Sequence, residues 1–231
     1  SGTEVHVKGS FESAVTNSVE FVGNKGDVFV SDSVINTGIA KFFGLNEGSV
    51  HLNGAIGQFV VGTDTILFNN VEINNTGNIV TITQVVSQVT DSLLMTVGDV
   101  YLDNSEVALG TTGQVVNEDN LKRIAGYLGE LTVEKAFPSS TTQNDIAGIG
   151  LDAEFQGSPG IIKVIRVNAA QSSASNGSVA RFYRIVPTNA GGEIHAPSTE
   201  YFDANELDGQ NEDSLNIYEK NIRLPFKSKL L

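Results

Sequence analysis

The sequence predicts an all-β protein: a short parallel β-helix-like solenoid, one connector helix, and then a C-terminal antiparallel β-sandwich or jelly-roll-like domain. Three observations support this prediction. The first half repeats a short apolar strand followed by a polar turn, one central segment has helical spacing of apolar residues, and the second half alternates strands with long polar loops. The predicted boundaries are 1–115 for the solenoid, 116–130 for the helix and 131–231 for the sandwich-like domain.

A strand-plus-turn unit occurs four times in the first half of the chain. In each copy an apolar strand leads into a turn built from Asn, Asp, Ser or Gly, and the copies begin at Val28, Val50, Ile66 and Val100. Residues 79–83 can supply a further strand in the last gap. Such a unit cannot bury its apolar face alone, so it must stack on copies of itself or on another chain. The repeat therefore predicts a stacked solenoid over residues 27–115.

An antiparallel meander or sandwich is the alternative for the same region. The spacings between the four units are 22, 16 and 34 residues, which fit a regular coil only loosely. Turns of unrelated strands also resemble one another, because turn chemistry draws on few residue types.

Four polar residues follow these strands and would form a row in a solenoid: Asp32, Asn53, Asn70 and Asp103. The carboxylates of Asp32 and Asp103 would then be candidates for an acid/base pair that cleaves sugars. A turn role is favoured, because Asn and Asp side chains bond their own backbone and tolerate left-handed geometry. No catalytic, cofactor-binding or metal-binding residue is assigned from this row.

Residues 117–129 break the β pattern. Apolar side chains recur at i, i+3, i+4 and i+7, which is one face of a helix, at Leu121, Ile124, Ala125 and Leu128. Asn117 or Asp119 can cap the start of this segment and Gly129 can end it. This pattern predicts a connector helix that closes the end of the first domain.

The C-terminal half is predicted to contain strands at 131–133, 149–155, 161–167 and 179–186, and a last one through 216–224. Polar linkers separate them, which is typical of a sandwich or jelly roll. Four basic residues cluster on two of these strands: Lys163, Arg166, Arg181 and Arg184. In an acidic chain we expect them to pair with carboxylates of a neighbouring strand or subunit.

The composition argues against two classes of partner. The formal net charge is −13 over 231 residues, whereas sequence-independent binding of nucleic acid needs a basic surface. Attraction to an anionic membrane is disfavoured for the same reason. No apolar run approaches the roughly 20 residues that span a bilayer, so membrane insertion is not expected. The chain has no cysteine, and residues 1–4 have neither a basic start nor an apolar core typical of a signal peptide.

Common catalytic and cofactor motifs are missing from the sequence. His6, His51 and His195 show no metal-binding spacing, and no strand is followed by a GxSxG, Walker or dinucleotide-binding motif. The acidic stretch 200–213 has the composition of a calcium loop, but its spacing is wrong for an EF-hand. We therefore expect a non-enzymatic protein without a cofactor, in which this stretch is a solvated acidic loop; a structural cation there is the alternative.

Turn-rich strand repeats such as 66–77, followed by a helix and a sandwich-like region, resemble bacteriophage virion proteins of the tail-spike, tail-fibre, capsid-decoration or head-fibre type. This resemblance covers most of the chain and rests on the order of its parts, not on a diagnostic motif. It implies a virion location, contacts with other virion proteins, attachment to a host surface glycan, and a homotrimer. Because no motif is matched, it implies no functional residue.

Two further functions remain open, a bacterial surface adhesin or surface-layer module and a β-helix polysaccharide depolymerase. The first would lie on the bacterial cell surface, and the second would need carboxylates that converge in a groove. A homo-oligomer is expected independently of the resemblance. The ends of a short solenoid expose unpaired strand edges, which symmetry mates commonly cover.

Overall fold

A computed structural model describes residues 4–13, 19–21, 26–37, 40–42, 48–83, 86–169, 180–188, 191–199 and 206–207. The strands are β1 (Glu4–Val7), β2 (Phe11–Ser13), β3 (Val19–Phe21), β4 (Asp27–Val30), β5 (Val34–Asn36), β6 (Ala40–Phe42), β7 (Ser49–Leu52), β8 (Gln58–Gly62), β9 (Ile66–Thr83), β10 (Val86–Asp103), β11 (Glu106–Gly110), β12 (Gln114–Val116), β13 (Ile124–Tyr127), β14 (Gly129–Ala136), β15 (Thr141–Gln143), β16 (Leu151–Ser158), β17 (Ile161–Asn168), β18 (Phe182–Pro187) and β19 (Gly191–Thr199). A 3-10 helix (Ile146–Gly148) lies between β15 and β16. No helix in these ranges is long and apolar enough to cross a membrane.

The first part of the chain is a parallel β-solenoid of about five turns, as the repeat predicts. Its strands stack in parallel on three faces. The first face comprises β1, β4, β7, residues 70–73 and 92–95, and β12. The second comprises β2, β5, β8, residues 79–83 and 99–103, and β13, and the third comprises β3, β6, residues 66–68 and 86–89, β11 and β14. The antiparallel meander considered for 27–115 is wrong.

The repeat has a different phase from the one that the sequence indicated. Val28 and Val50 are in register, as predicted, and the next residue in their row is Val71, not Ile66. Ile66 lies on the third face, and Val100 lies on the second face between Val80 and Ile124. Similar strand-and-turn segments occur at several corners of each coil, so a local motif cannot show which corner it occupies.

The interior of the solenoid consists of stacked aliphatic rows. Alternate residues of each strand point inward, because side chains alternate between the two sides of a strand. On the first face the buried rows are Val28–Val50–Val71–Leu93–Val115 and Val30–Leu52–Ile73–Met95. Each coil is therefore stabilised by the coils above and below it, as in other quasi-one-dimensional folds.

Buried amide side chains hold the corner between the first and second faces. Gln58 donates from Nε2 to the carbonyl oxygens of Val30 (2.8 Å) and Asp32 (2.5 Å) in the preceding coil. Its Oε1 accepts from the Gly54 N–H (2.8 Å) and from Asn75 Nδ2 of the next coil (2.7 Å). One side chain thus connects three coils through contacts to backbone groups of two coils and to Asn75 of the next.

The predicted connector helix over 117–129 is wrong. This segment contains the bridge between Asp119 and Lys122 and then strand β13, which pairs in parallel with β10. The four apolar residues do not share a face: Leu121 is 87% exposed at a turn, whereas Ile124 is fully buried in the strand. Pairing with the preceding coil therefore overrides the helical spacing of the sequence.

After the solenoid, the third face continues into antiparallel pairing. β14 pairs with β17 and β17 with β18, while β15, β16 and β19 form a separate three-stranded sheet. The sandwich or jelly-roll arrangement stays a prediction. The acidic stretch 200–213, apart from 206–207, and the predicted strand at 216–224 lie outside the described residues.

Candidate functional site

The outer surface of the first face has a stack of rings from successive coils. The imidazole of His6 lies 4.6 Å from the ring of Phe29, which lies 4.3 Å from the imidazole of His51. His51 is hydrogen-bonded through Nδ1 to Glu72 of the next coil, and its Nε2 is 3.7 Å from Asp27 of the preceding coil. This stack ties four coils together, and its histidines are engaged with aromatic and carboxylate neighbours.

The predicted row of strand-end Asn and Asp residues does not form. Asp32 accepts from the hydroxyls of Ser10 and Ser33, at 3.0 and 3.1 Å, while Asn53 and Asn70 accept from serines of neighbouring coils. Asp103 ends a strand of the second face, in register with Thr83, three coils beyond the coil of Asp32. Three coil spacings are about 14 Å, more than the roughly 6.5–9.5 Å of an inverting carboxylate pair. The structure therefore does not bring Asp32 and Asp103 together.

A groove of about 410 Å³ lies at the corner between the second and third faces, and its lining includes Asp64, Glu106 and Glu130. Two of these carboxylates have cationic partners. Glu106 is 3.6 Å from Lys163 Nζ and accepts from the Thr132 hydroxyl at 2.6 Å, and Glu130 is paired with Arg184. Because both are neutralised by cations, the groove favours a structural role over acid/base chemistry. In the part of the chain that is described, no group of three or more acidic or histidine side chains could hold a metal ion.

A buried cluster of charges joins the last coil to the C-terminal strands. Arg166 of β17 donates from Nη1 and Nη2 to the two carboxylate oxygens of Glu118, both at 2.6 Å, and from Nε to Asn168 Oδ1 at 3.0 Å. Arg181 lies 3.8 Å from Glu118 and 2.5 Å from Glu206. All four charged side chains are at least nine-tenths buried. The predicted pairing of Lys163, Arg166, Arg181 and Arg184 with carboxylates is confirmed.

The electrostatics of this cluster favour the charged forms of Glu118 and Arg166. Burial by itself would raise the pKa of Glu118, but attraction to Arg166 and Arg181 and its hydrogen bonds lower that pKa below the usual range. Burial by itself would lower the pKa of Arg166, but the Glu118 carboxylate outweighs that effect and raises this pKa above its usual value. Burial raises the pKa of Tyr183, whose hydroxyl lies 2.7 Å from the Ile149 carbonyl oxygen.

The same pair terminates an edge of the solenoid. Glu118 Oε1 accepts the Ile124 N–H at 2.8 Å, and Arg166 Nη2 donates to the Ile124 carbonyl oxygen at 2.8 Å. These contacts replace the strand that a further coil would supply at this point of β13. A strand edge whose N–H and C=O groups are already hydrogen-bonded is not available for pairing with other strands. The cluster is therefore a structural cap and not a substrate site.

The outer surface of the second face carries many exposed apolar side chains. Its exposed large side chains, on the strands and at the adjoining turns, are Ile56, Phe59, Ile79, Val97, Tyr101, Leu121, Tyr127 and Leu128. We call this surface the outer second face. Contiguous exposed apolar patches of this kind commonly mark an interaction surface. It is the arrangement in the described residues that best fits binding of a partner.

Sequence reasoning missed Glu118, Phe59, Tyr101 and Tyr127. Glu118 lies within the segment predicted to be a helix, and nothing nearby in sequence marks Arg166 as its partner. The outward direction of Tyr101 could have been found, because it lies between Val100 and Leu102 in a strand with alternating sides, whereas Phe59 follows the polar Gln58 and carries no such signal. Three aromatic residues of the C-terminal half, Tyr201, Phe202 and Tyr218, lie outside the described residues, and Tyr183 is partly buried.

Comparisons of this chain with protein-family models, with curated proteins and with solved structures found no match.

Proposed function

We propose that this chain is a non-enzymatic structural protein of a virion, of the tail-spike, tail-fibre, capsid-decoration or head-fibre type. Its role is particle assembly, particle stability or attachment to a host surface. The observation that carries this proposal is the outer second face, an apolar surface on a rigid stack of coils. A solenoid supplies a stiff support, and an exposed apolar surface of this extent favours contact with another macromolecule.

The charged groups of the chain support a structural role. Four basic residues each form an ion pair with a carboxylate of the same chain, and these pairs stabilise the fold: Lys163, Arg166, Arg181 and Arg184. The formal net charge of −13 also fits a protein that does not bind nucleic acid or insert into membranes.

The expected partners are further copies of this chain, other virion proteins and a host surface glycan. A homotrimer is the form that the resemblance to phage proteins implies. The antiparallel strands after the solenoid fit a sandwich-like domain at one end of such a particle component. Exposed Tyr101 and Tyr127 offer aromatic rings of the kind that contribute strongly at interfaces.

Immunogold labelling of virus particles tests this function. Antibodies raised against the purified chain are applied to gradient-purified particles from its source and to intact, virus-free host cells. We expect label at a fixed position on the particles and none on the cells. Label on the cells alone would replace the proposal with a surface adhesin or surface-layer module.

A second measurement separates the structural role from a depolymerase. The purified chain is incubated with host surface polysaccharide, and released reducing ends are counted. We expect release no faster than without protein. Release that is lost in the double variant Glu106→Gln and Glu130→Gln, in the groove, would contradict a non-enzymatic function.

A further inference from the structure

The outer second face contains a row in which large and small side chains alternate. From coil to coil, the residues in register are Phe59, Thr81, Tyr101 and Ala125. Phe59 is 49% exposed and Tyr101 is 38% exposed. Each aromatic ring therefore stands beside a smaller residue one coil spacing away, about 4.8 Å along the axis.

The charged side chains of this surface lie in the rows that flank the aromatic row. One flanking row contains Val61, Thr83 and the exposed Asp103, and the two-fold operation proposed below places Asp103 opposite Thr83 of the second copy. The other flanking row contains Ile79, Asp99 and Arg123, and the last two are paired, with 3.7 Å between Arg123 Nη2 and Asp99 Oδ2. The outer surface of the first face, in contrast, has Glu4, Asp27 and Glu72. For a chain with a net charge of −13, two copies can approach closely only where like charges do not meet.

We propose that the outer second face binds the same face of a second copy of this chain. A two-fold axis that lies in the interface, parallel to the strands and midway between the coils of Thr81 and Tyr101, places Phe59 opposite Ala125 of the second copy. The same operation places Thr81 opposite Tyr101 of the second copy. Every large side chain of the row then meets a small one, which is the condition for interdigitation of two sheet faces. Such an interface is isologous.

The extent of the surface suits this partner. Four coils and the flanking turns give a footprint of about 20 Å by about 25 Å, or roughly 500 Å² on each copy and about 1,000 Å² when two copies meet. That area is at the lower limit for a specific protein interface. The pairing thus has enough area for a reversible dimer, and further contacts in a particle would strengthen it.

This inference rests on the proposed structural role, because it names the surface through which copies assemble, and it gives a two-fold pair in place of the homotrimer that the resemblance implies. The inference and the proposed function can nevertheless fail separately. A chain that labels particles but shows no contact through this face would overturn the inference alone. A chain that dimerises through this face but is missing from particles would overturn the proposed function alone.

Cross-linking through single cysteines tests the geometry directly, because the natural chain has no cysteine. Thr81→Cys lies next to the proposed axis, and Thr142→Cys, exposed on β15, is the matched control. With a short bismaleimide, we expect a covalent dimer from Thr81→Cys and about tenfold less from Thr142→Cys at equal concentration. Equal yields from the two variants would overturn the proposal.

A charge substitution tests the same surface by affinity. Ile79 is 43% exposed on the outer second face, and Val186 is 44% exposed on β18. Sedimentation should show that Ile79→Glu raises the dissociation constant of the dimer at least about tenfold, whereas Val186→Glu changes it less than about twofold. Circular dichroism at matched temperature confirms that both variants remain folded.

The remaining outcomes also decide the question. One outcome is that the natural chain sediments as a monomer at all concentrations while Ile79→Glu lowers its melting temperature. That result would show that the chain covers this face itself, and the proposed binding of a second copy would be wrong. A trimer that Ile79→Glu dissociates would support the surface and overturn the two-fold pairing. A trimer whose dissociation constant is unchanged by Ile79→Glu would overturn both the binding surface and the two-fold pairing.

Discussion

Arg166 and Glu118 are 48 residues apart in the sequence, and they form a bidentate ion pair with both nitrogen–oxygen distances at 2.6 Å. The arginine is fully buried and the glutamate side chain is 4% exposed. The pair joins β17 to the last coil, and both residues contact the backbone of Ile124. The closure of the solenoid on its C-terminal side therefore depends on two charges that must be buried together.

Glu118→Gln is expected to destabilise the protein at neutral pH. The amide can keep one contact to Arg166, but it leaves the buried charge of Arg166 without its carboxylate partner, whereas Arg181 keeps Glu206. Removing one partner of a buried ion pair costs about 3–5 kcal/mol, and urea denaturation measures this as a lower free energy of unfolding. Glu130→Gln, in the surface pair with Arg184, is the control, with an expected loss of no more than about 1 kcal/mol. Equal losses in the two variants would contradict the structural role of the cluster.

The lowered pKa of Glu118 predicts acid sensitivity. In the unfolded chain this carboxyl takes up a proton near its ordinary pKa of 4.5, whereas in the folded protein its pKa is lower. Between those two values the unfolded state binds more protons, so the free energy of unfolding falls as the pH falls. Above pH 4.5 this contribution is complete and constant. Melting temperatures should therefore drop more steeply below pH 4.5 in the natural protein than in Glu118→Gln, and parallel curves would rule out this assignment.

Gln58→Leu is expected to weaken the corner between the first and second faces. Leucine fills a similar volume, but it leaves the carbonyl oxygens of Val30 and Asp32 and the Gly54 N–H without their side-chain partner. The Val30 oxygen keeps the Asn53 N–H, whereas the other two buried groups lose a partner at about 1–3 kcal/mol each, so the loss should be about 2 kcal/mol or more. Gln114→Leu, at an exposed position of the first face, should change stability by less than about 0.5 kcal/mol. Chemical denaturation of both variants provides the comparison, and a loss below 1 kcal/mol in Gln58→Leu would show that the corner does not need this amide.

Gly62→Ala tests how closely the coils approach one another. A methyl group at Gly62 would lie 1.9 Å from the carbonyl oxygen of Asn36 in the preceding coil, so the backbone would have to shift. We expect a loss of about 2 kcal/mol or more in the free energy of unfolding. Gly9→Ala is the control, since nothing lies within 4 Å of its added methyl group. If thermal melts show the same stability for both variants, the spacing of the coils at this corner is looser than the structure indicates.

The parallel stacking could be predicted from the sequence, but its phase could not. Short apolar strands with polar turns require partners on both edges, and Val28 and Val50 reveal a spacing of 22 residues directly. Ile66 and Val100 carry the same local signal at other corners of the coil. Turn chemistry is similar at each corner, so only the pairing of whole coils distinguishes them.

The order of residues alone indicates strands over most of this chain, the stacking of its strand-and-turn units and the pairing of its basic residues with carboxylates. The tertiary structure alone decided that residues 124–127 form a strand, that Glu118 is the partner of Arg166, and that Phe59 and Tyr101 share one outer row. Alternation and turn composition are local properties, which a chain displays in its order of residues. Ion pairs across 48 residues and rows built from successive coils depend on how the coils stack, and that is fixed only when the whole solenoid closes.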